Sequence, residues 1–184
     1  MASLRVENVV ATGDLDTRIN FSDLLDRIDL PHLRYDPDVH QGLELRFIEE
    51  GPLTTVYATG KYIIRAPSIS ALQGTRDDLL DLLYQNGIID EPEDKAFNIN
   101  NVVGSGDIGR EVELKALAED LRIGEANYNP EEFPALRCRM NGYKATVLLY
   151  RSGKVIVTGA NSIEGAEAAY EAFLDELDTL FARG

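Results

Sequence analysis

The sequence repeats itself at an offset of 93 residues, which constrains the fold more than any single motif. Residues 6–15 align with residues 99–108, and the register then holds without a gap for about 80 residues. A period this long is unlike the roughly 20 to 50 residues of solenoid repeats. We therefore predict two copies of one half-domain, 1–92 and 93–184, joined near residues 89–94.

Each copy has the same order of predicted elements. A β-branched strand leads into a Gly-Asp turn, an amphipathic helix and a Tyr-x-Pro turn. Three strand-like runs and a longer helix follow, and in the second copy these are residues 136–140, 145–151, 154–158 and 166–181. Cys138 alternates with Leu136 and Met140, which is typical of a core position. The pattern predicts an α+β fold, with one curved antiparallel sheet shared by the copies, helices on one face and the other face open.

The chain is strongly acidic, with 32 Asp and Glu against 18 Lys and Arg and a net charge of −14. Taken whole, this charge argues against a simple polyanion binder. There are only 5 Lys against 13 Arg, and the acids are scattered along the chain. Scattered carboxylates suit strong screening, since the Debye length falls to about 3 Å at 1 M salt. A salt-loving cytoplasm is one explanation, and an ordinary acidic domain is the other.

Divided by segment, the charge gives a different answer. Residues 133–161 contain no acid and carry +5, whereas the matching residues 40–68 have no net charge. The rest of the chain therefore carries −19. A basic sheet beneath acidic helices indicates a surface that faces a polyanion. The alternative is that strands simply hold fewer acids, because strand propensity disfavours Asp and Glu.

Other function classes find little support. A single cysteine allows no intrachain disulfide or cysteine zinc cluster, and two histidines are too few for a rich metal site. No apolar run approaches a membrane span and no secretory segment begins the sequence, so we expect a cytoplasmic protein without a membrane partner.

Residues 104–109 match G-x-G-x-x-G, but the equivalent residues 11–16 keep one of the three glycines, which indicates a turn. We expect no cofactor, no metal and no catalytic residue, because no carboxylate or histidine spacing selects an acid–base pair. An enzyme on a duplicated scaffold stays as a remote alternative.

Four segments carry a resemblance to a known family: residues 101–105, 128–134, 148–154 and 157–160. They resemble the TATA-box-binding protein (TBP) family in its archaeal form. The resemblance covers essentially the whole chain and is more specific in the second copy. It implies a saddle in which a ten-stranded sheet lies on DNA with its concave side and carries four main helices on its convex side.

The resemblance also implies a function. The family members are general transcription initiation factors that bind and bend promoter TATA-box DNA through the minor groove. They recruit transcription factor B and, indirectly, RNA polymerase, without catalysis. A monomer on DNA is expected, and a dimer is allowed when the protein is free. The residues that match DNA-binding positions of the family are Asn8, Val10, Arg46, Tyr57, Lys61, Ile63, Asn101, Val103, Phe133, Arg139, Leu148, Tyr150, Lys154, Ile156 and Thr158.

The matched positions imply distinct roles. Asn8 and Asn101 would donate hydrogen bonds to base edges, because A·T pairs present only acceptors in the minor groove. Phe133 beside Tyr150 takes the place of the paired wedges that part a base step. The matching arginines and lysines would contact phosphates, and the valines and isoleucines would press on the groove. The alternatives are that the valines and isoleucines are ordinary strand residues without a DNA contact and that the asparagines cap turns.

The first copy departs from the family pattern. His40 stands where Phe133 stands in the second copy, so one wedge is expected to be lost. Thr55 and Arg65 replace the Leu148 and Thr158 types, and Tyr57 and Tyr150 both stand where the family usually has Phe. Glu44 puts a carboxylate on the face that carries Arg46. These departures predict an asymmetric protein, and they keep open a divergent paralogue with altered or lost bending that acts as a regulator or a protein-interaction module.

The turn of the second copy resembles the surface that the family presents to transcription factor B. Tyr128, Glu131 and Glu132 are the residues implied for that contact, although an apolar residue is common at the position of Glu132.

Overall fold

The computed structural model describes residues 3–122 and 124–182. Along these residues the elements are β1 (Arg5–Asp14), α1 (Phe21–Arg27), β2 (His32–Arg34), β3 (Gly42–Arg46), β4 (Leu53–Tyr57), β5 (Lys61–Ala66), α2 (Ile69–Gln85), β6 (Ala96–Asp107), α3 (Leu114–Asp120), β7 (Gly124–Asn127), β8 (Ala135–Met140), β9 (Thr146–Tyr150), β10 (Lys154–Ala160) and α4 (Ile163–Phe181). In this part of the chain no helix combines the length and apolar character that a membrane crossing needs.

The strands follow the order β2-β3-β4-β5-β1-β6-β10-β9-β8-β7 in the sheet. The chain divides into two compact units. The first unit is Asn8–Ile99, and the second unit contains residues 3–7 together with the described residues from 100 onward. In each unit the strands that pair around its hairpins are antiparallel, as in β3–β4–β5 and β8–β9–β10.

Each unit buries the apolar stripe of its long helix against its own strands. Helix α2 packs on β5 and α4 packs on β10 and β9. Both helices begin with a serine cap, in which the hydroxyls of Ser68 and Ser162 accept hydrogen bonds from backbone N–H groups three residues later, at 3.1 and 3.0 Å. Tyr170 and Phe173 of α4 are fully buried. Cys138 lies in the core as its alternation predicts, and burial raises the pKa of its thiol to about 11, with the charge of Glu176 adding to the effect.

The structure corrects two details of the predicted elements. Strands β2 and β7 were not predicted from the residue pattern, since they have only three and four residues and no clear alternation. The apolar spacing of Val112, Leu114, Leu117, Ala118 and Leu121 predicts that the amphipathic helix of the second copy includes Val112, but α3 begins at Leu114. Val112 precedes the helix, and its N–H donates to the carbonyl of Arg151, 3.0 Å away in the β9–β10 turn, which ties this residue to the sheet.

A buried polar cluster fixes the start of β6 in the first unit. Asp94, whose side chain is 3 % exposed, accepts hydrogen bonds from Nε and Nη2 of Arg76 at 2.9 and 2.5 Å and one from the Tyr62 hydroxyl. The Arg76 guanidinium lies 4.8 Å from the centroid of the Phe97 ring. A Cβ on Gly13 would lie 2.1 Å from the Tyr62 ring, so the tyrosine requires a glycine there. We call Tyr62, Arg76 and Asp94 the Asp94 cluster.

The cluster shifts the pKa of each of its members. Burial acts to raise the pKa of Asp94, but the hydrogen bonds from Arg76 and Tyr62 and the charge of Arg76 outweigh burial, so its pKa lies below the ordinary value. Burial and the adjacent Asp94 raise the pKa of Tyr62. The hydrogen bond to Asp94 raises the pKa of Arg76. The cluster is therefore ionised as a carboxylate–guanidinium pair with a neutral phenol.

Candidate nucleic-acid interface

The second unit presents a strand face on the side away from its helices. Along β10, Val155 and Val157 are buried, while the alternate residues Lys154, Ile156 and Thr158 stay partly or fully exposed. Ile156 pairs with Ser105 of β6 and Leu148 of β9, and Leu148 pairs with Arg137 of β8. These four residues form a row across four strands, which we call the second-unit row. Its middle is apolar and its outer end is an arginine.

The neighbouring row of the same unit is more polar. Thr158 pairs with Thr146, and Thr146 pairs with the exposed Arg139. Val103 is half-buried between the buried Val102 and Gly104. Strand alternation therefore puts Val103 on the same face as Ser105 and Asn101.

An aromatic pair lies at the outer part of the second unit. The centroids of the Phe133 and Tyr150 rings are 6.4 Å apart, with the ring planes inclined at 56°. The Arg137 guanidinium lies 5.3 Å from the centroid of the Phe133 ring. A cation over an aromatic ring is attracted to the negative charge of its face, and Phe133 itself stays half-buried. Arg137, which the residue pattern marks only as part of the basic segment, therefore lies beside this aromatic pair.

Asn101 is held in a defined orientation. Its Oδ1 accepts a hydrogen bond from the backbone N–H of Gly159 at 2.8 Å. Because a backbone N–H only donates, the partner must be the amide oxygen, and the amide NH₂ is the group left to meet a ligand.

The first unit has a corresponding row with a different charge. Thr12 pairs with Ile63, Ile63 with Thr55, and Thr55 with Glu44. At the offset of 93, Glu44 is the counterpart of Arg137. The carboxylate Oε2 of Glu44 lies 3.9 Å from Nε2 of His32. The outer end of the row is thus acidic in the first unit and basic in the second.

The middle of the first-unit face is also polar. Arg65 is exposed on β5, pairs with Val10 of β1, and its Nη1 donates to Oγ1 of Thr55 at 3.4 Å. Thr55 itself is 1 % exposed. Thr55 therefore lies below the surface, and Arg65 is the group that a ligand would meet.

His40 keeps the geometry of the aromatic pair. The centroids of the His40 and Tyr57 rings are 5.9 Å apart at 56°, the same inclination as between Phe133 and Tyr150. The backbone N–H of Gly42 donates to His40 Nδ1 at 3.0 Å. The first unit therefore retains a ring at the wedge position, but a polar and exposed one.

A groove of about 660 Å³ opens in the first unit beside Tyr57, Lys61 and Ile63. Asn98 and Gln41 also line it, and neither was predicted. Asn98 belongs to the strand pattern of residues 97–103, and the start of β6 lies within the first unit. That pattern is the sequence signal that could have indicated Asn98 as a residue of this face. The groove adds two amides to this face.

The basic residues matched to phosphate contacts are not equally free. Lys61 and Lys154 are exposed, but their cross-strand partners are Asp14 and Asp107. Arg46 donates through Nη1 to the carbonyl of Gly51, which ties it to its own hairpin turn.

Arg5 and Glu7 of the second unit were not predicted as residues of this face. Glu7 accepts a hydrogen bond from the Ser105 hydroxyl at 2.5 Å, and Arg5 Nε lies 3.6 Å from the same Glu7 oxygen. Ser105 belongs to the second-unit row, so Glu7 brings an acid to the edge of that row. Nothing in the sequence pattern distinguishes Glu7 from other scattered acids.

The turn before β8 carries the residues matched to a protein partner. Tyr128 is half-buried, whereas Glu131 and Glu132 are exposed. The Asn129 side chain accepts from the N–H of Glu131 at 3.3 Å, and the Asn129 carbonyl accepts from the N–H groups of Glu132 and Phe133. The two acidic side chains are thereby presented on a turn of defined geometry.

Comparison with protein families decides the assignment. The sequence model of the family described as "Transcription factor TFIID (or TATA-binding protein, TBP)" matches residues 3–86 and 96–180. The chain belongs to the TATA-binding protein family. Each matched segment falls within one of the two predicted copies, 1–92 and 93–184, so both stretches retain the TBP pattern despite the polar substitutions in the first.

Named relatives come from several archaea. TATA-box-binding protein C of Halobacterium salinarum is 36 % identical over 179 residues, covering 97 % of this chain and 99 % of the relative. TATA-box-binding protein 2 of Haloferax volcanii is 33 % identical over 181 residues, covering 97 % of this chain and 95 % of the relative. Among solved structures, the Methanococcus jannaschii TBP matches with a TM-score of 0.81 and 27 % identity, covering 96 % of this chain and 99 % of that one.

These matches confirm the predicted fold class and the resemblance on which it rested. The ten-stranded order and the four helices found among the described residues are those of a TBP-like fold. Family membership makes the chain a DNA-binding transcription factor of the TBP type. The individual DNA-contacting and partner-contacting residues stay predictions.

Proposed function

We propose that this protein is a promoter-binding general transcription factor that binds and bends TATA-box DNA through the minor groove. The observation that carries the proposal is the second-unit row beside the Phe133–Tyr150 pair, in a chain that both TBP segments match. The apolar middle of this row fits a widened minor groove, whose A·T edges present only acceptors and no amino group. An inserted aromatic side chain must offset about a few kcal/mol of unstacking per base step.

The outward-facing cations of the second unit would fix register on the phosphates. Arg139 and Lys154 are exposed on this face, and the segment from 133 to 161 contains no acid. Contacts of this kind position a protein on the duplex without reading its sequence. Lys61 and Arg46 would do the same in the first unit, with less effect because Arg46 is tied to its own turn.

We further propose that the protein recruits transcription factor B through the turn that carries Tyr128, Glu131 and Glu132, and recruits RNA polymerase indirectly. The exposure of both glutamates supports a contact with a basic partner surface. The protein would bind DNA as a monomer in the cytoplasm and would perform no catalysis.

The first-unit face favours a second candidate, a paralogue with altered bending that acts as a regulator. Glu44 stands in the position of Arg137 and would face a phosphate backbone. His40 offers a polar ring where the second unit has Phe133. A protein of this kind would bind DNA with weak bending or with none.

A bending assay separates the two candidates. A TATA duplex labelled at both ends is titrated with protein in molar KCl, with and without transcription factor B, and energy transfer between the ends is measured. We expect strong bending, which Phe133→Ala removes for the most part and the matched His40→Ala variant hardly changes. Equal effects of the two substitutions would refute the asymmetry. No binding even with transcription factor B present would refute the first proposal, and binding without bending would favour the second.

A further inference from the structure

The two asparagines that sit at equivalent positions of β1 and β6 differ in how they are held. In the second unit, the amide oxygen of Asn101 accepts the N–H of Gly159 at 2.8 Å. This bond holds the amide oxygen on the Gly159 side, and the NH₂ group, which has no hydrogen-bond partner among the described residues, is the free end of the amide, so Asn101 is presented as a donor. In the first unit, Asn8 makes no side-chain hydrogen bond to any residue that the structure describes.

The difference has a backbone cause. The pairing of β10 with β6 shifts register between Val157 and Ala160, and Gly159 within this bulge has φ +87°. A non-glycine residue rarely adopts that conformation. The shift directs the N–H of Gly159 toward the side chain of Asn101.

At the equivalent position, the first unit has neither the register shift nor the glycine with positive φ. The residue equivalent to Gly159 is Ala66, and β5 pairs with β1 in unbroken register up to Ala66 opposite Val9. Arg65, the neighbour of Ala66, pairs with Val10, whose place on β1 is two residues beyond Asn8. Nothing on β5 therefore fixes the orientation of the Asn8 amide.

We propose, resting on the proposed function, that Asn101 is a specificity-determining residue that rejects guanine at one step of the DNA site, whereas Asn8 tolerates guanine at the equivalent step. A G·C pair differs from A·T in the minor groove by the N2 amino donor. A locked NH₂ group facing that donor leaves both groups unpaired. The free Asn8 amide can turn by half a rotation about its terminal torsion and accept from the amino group instead.

The consequence is a DNA site with one strict half and one permissive half. Each half is set by its own unit. A mismatched base pair typically costs a site-specific protein about 1–3 kcal/mol, so we expect about tenfold discrimination at the Asn101 step and about twofold or less at the Asn8 step.

The test uses inosine to isolate the amino group. Each A·T pair of a TATA duplex is replaced in turn by G·C or by inosine·C, which lacks only the N2 amino group, and Kd is measured by fluorescence anisotropy in molar KCl. The ratio of the G·C and inosine·C constants reports rejection of the amino group alone. The alanine variants Asn101→Ala and Asn8→Ala identify the base-pair step that each asparagine faces. It is the step at which the variant changes this ratio. Where the ratio is already near one, it is the step at which the variant weakens binding of the inosine·C duplex most.

A variant that weakens the hydrogen bond from the Gly159 N–H to the Asn101 side chain gives the decisive test. Gly159→Ala should lower the ratio at the Asn101 step from about ten to about two. A Cβ there would make only an ordinary contact, 4.0 Å from the Lys144 carbonyl oxygen, but it strains the φ of +87° that directs the Gly159 N–H toward Asn101. Gly142→Ala is the matched control, since Gly142 has φ +81° and free space in a turn of the same unit, away from Asn101. It should leave the ratio unchanged. If Gly159→Ala does not fold, Asn101→Thr supplies the same test, because a hydroxyl can both donate and accept.

Free protein gives a further measurement that does not depend on DNA. The side-chain Nδ2 of Asn101 should show a higher NMR order parameter than that of Asn8. Equal order parameters, equal ratios at the two steps, or an unchanged ratio in both the Gly159→Ala and the Asn101→Thr proteins would each overturn the inference while leaving the proposed function standing. If the wild-type protein fails to bind the A·T duplex, the proposed function fails and the inference falls with it.

Discussion

Removing the carboxylate of the Asp94 cluster should destabilise the protein far more than removing any exposed acid. In Asp94→Ala, the Tyr62 hydroxyl and the Arg76 guanidinium lose their shared acceptor. Breaking a buried ion pair by deleting one partner costs about 3–5 kcal/mol, and leaving a buried donor unsatisfied costs about 1–3 kcal/mol. Because the Arg76 side chain is 30 % exposed and can turn toward water, we expect the total near the lower end, about 2–4 kcal/mol.

The chain supplies a matched control on the same arginine. Asp77 lies 3.7 Å from Arg76 Nη1, but its side chain is 70 % exposed. Exposed pairs contribute about 0–1 kcal/mol, so Asp77→Ala should leave the free energy of unfolding nearly unchanged. Molar KCl should remove what remains of the Asp77 effect, since the Debye length is then about 3 Å, but it should spare the buried Asp94 cluster.

Acid should erase the difference between the wild type and Asp94→Ala. The pKa of Asp94 is lower in the folded protein than in the unfolded chain. Its stabilisation is therefore complete above the ordinary carboxyl pKa and is lost as the pH falls through the lowered folded value. The two proteins should differ most near neutral pH and converge at strongly acidic pH.

Urea unfolding followed by far-UV circular dichroism measures these differences, in molar KCl across a pH series. At neutral pH, Asp94→Ala should lower the midpoint without changing the m-value, and its Tm should fall by about 5–15 °C. Equal losses for Asp94→Ala and Asp77→Ala would refute the assignment of the cluster as buried and stabilising. A difference that stays constant into acid would refute the assigned pKa direction.

Two further predictions concern charge on the strand faces. Glu44→Gln should tighten binding to a TATA duplex severalfold in anisotropy titrations, because it removes the acid that stands in the position of Arg137. The control Glu49→Gln, in an exposed loop, should change the affinity little. No gain in affinity for Glu44→Gln would contradict the placement of the first-unit row that ends at Glu44 on DNA. The affinity for DNA, measured over a KCl series, should fall much less steeply than the usual slope of log K against log salt concentration, about −0.9 per neutralised phosphate, or should even rise. The reason is that Asp14 and Asp107 lie across the strands from Lys61 and Lys154, the lysines proposed to contact phosphates. A full negative slope would contradict this prediction.

Much of the fold could be predicted because it repeats. Val155, Ile156 and Val157 alternate between buried and half-exposed, so the period-2 pattern indicates which residues face outward. Strands β2 and β7 could not be predicted from the residue pattern, since three or four residues carry too little of it, and only the ten strands implied by the family resemblance include them. The start of α3 was missed because the backbone bond between Val112 and Arg151 joins residues about 40 apart, which no local pattern reports.

The candidate site was less predictable than the fold. Residue identity suggested Glu44 and His40 as departures, but it gave no indication that His40 and Tyr57 keep the 56° inclination of the aromatic pair. The lock on Asn101 depends on a register shift and a positive φ at Gly159, which arise only when β10 pairs with β6. Glycine is frequent enough in turns that Gly159 could not have been distinguished in advance.

The acidity of the chain changes meaning once charge is placed on elements. A net charge of −14 opposes polyanion binding only if the acids share a face with the cations. In the second unit, Arg137, Arg139 and Lys154 lie on the strands of one face, with Glu7 and Asp107 at its margins. Acids next to the lysines would bind cations when phosphates approach, and this uptake offsets the counterions that phosphates release. We therefore expect added salt to cost this protein less DNA affinity than it costs a binder without such acids, so the acids that seem to oppose binding would reduce its salt dependence.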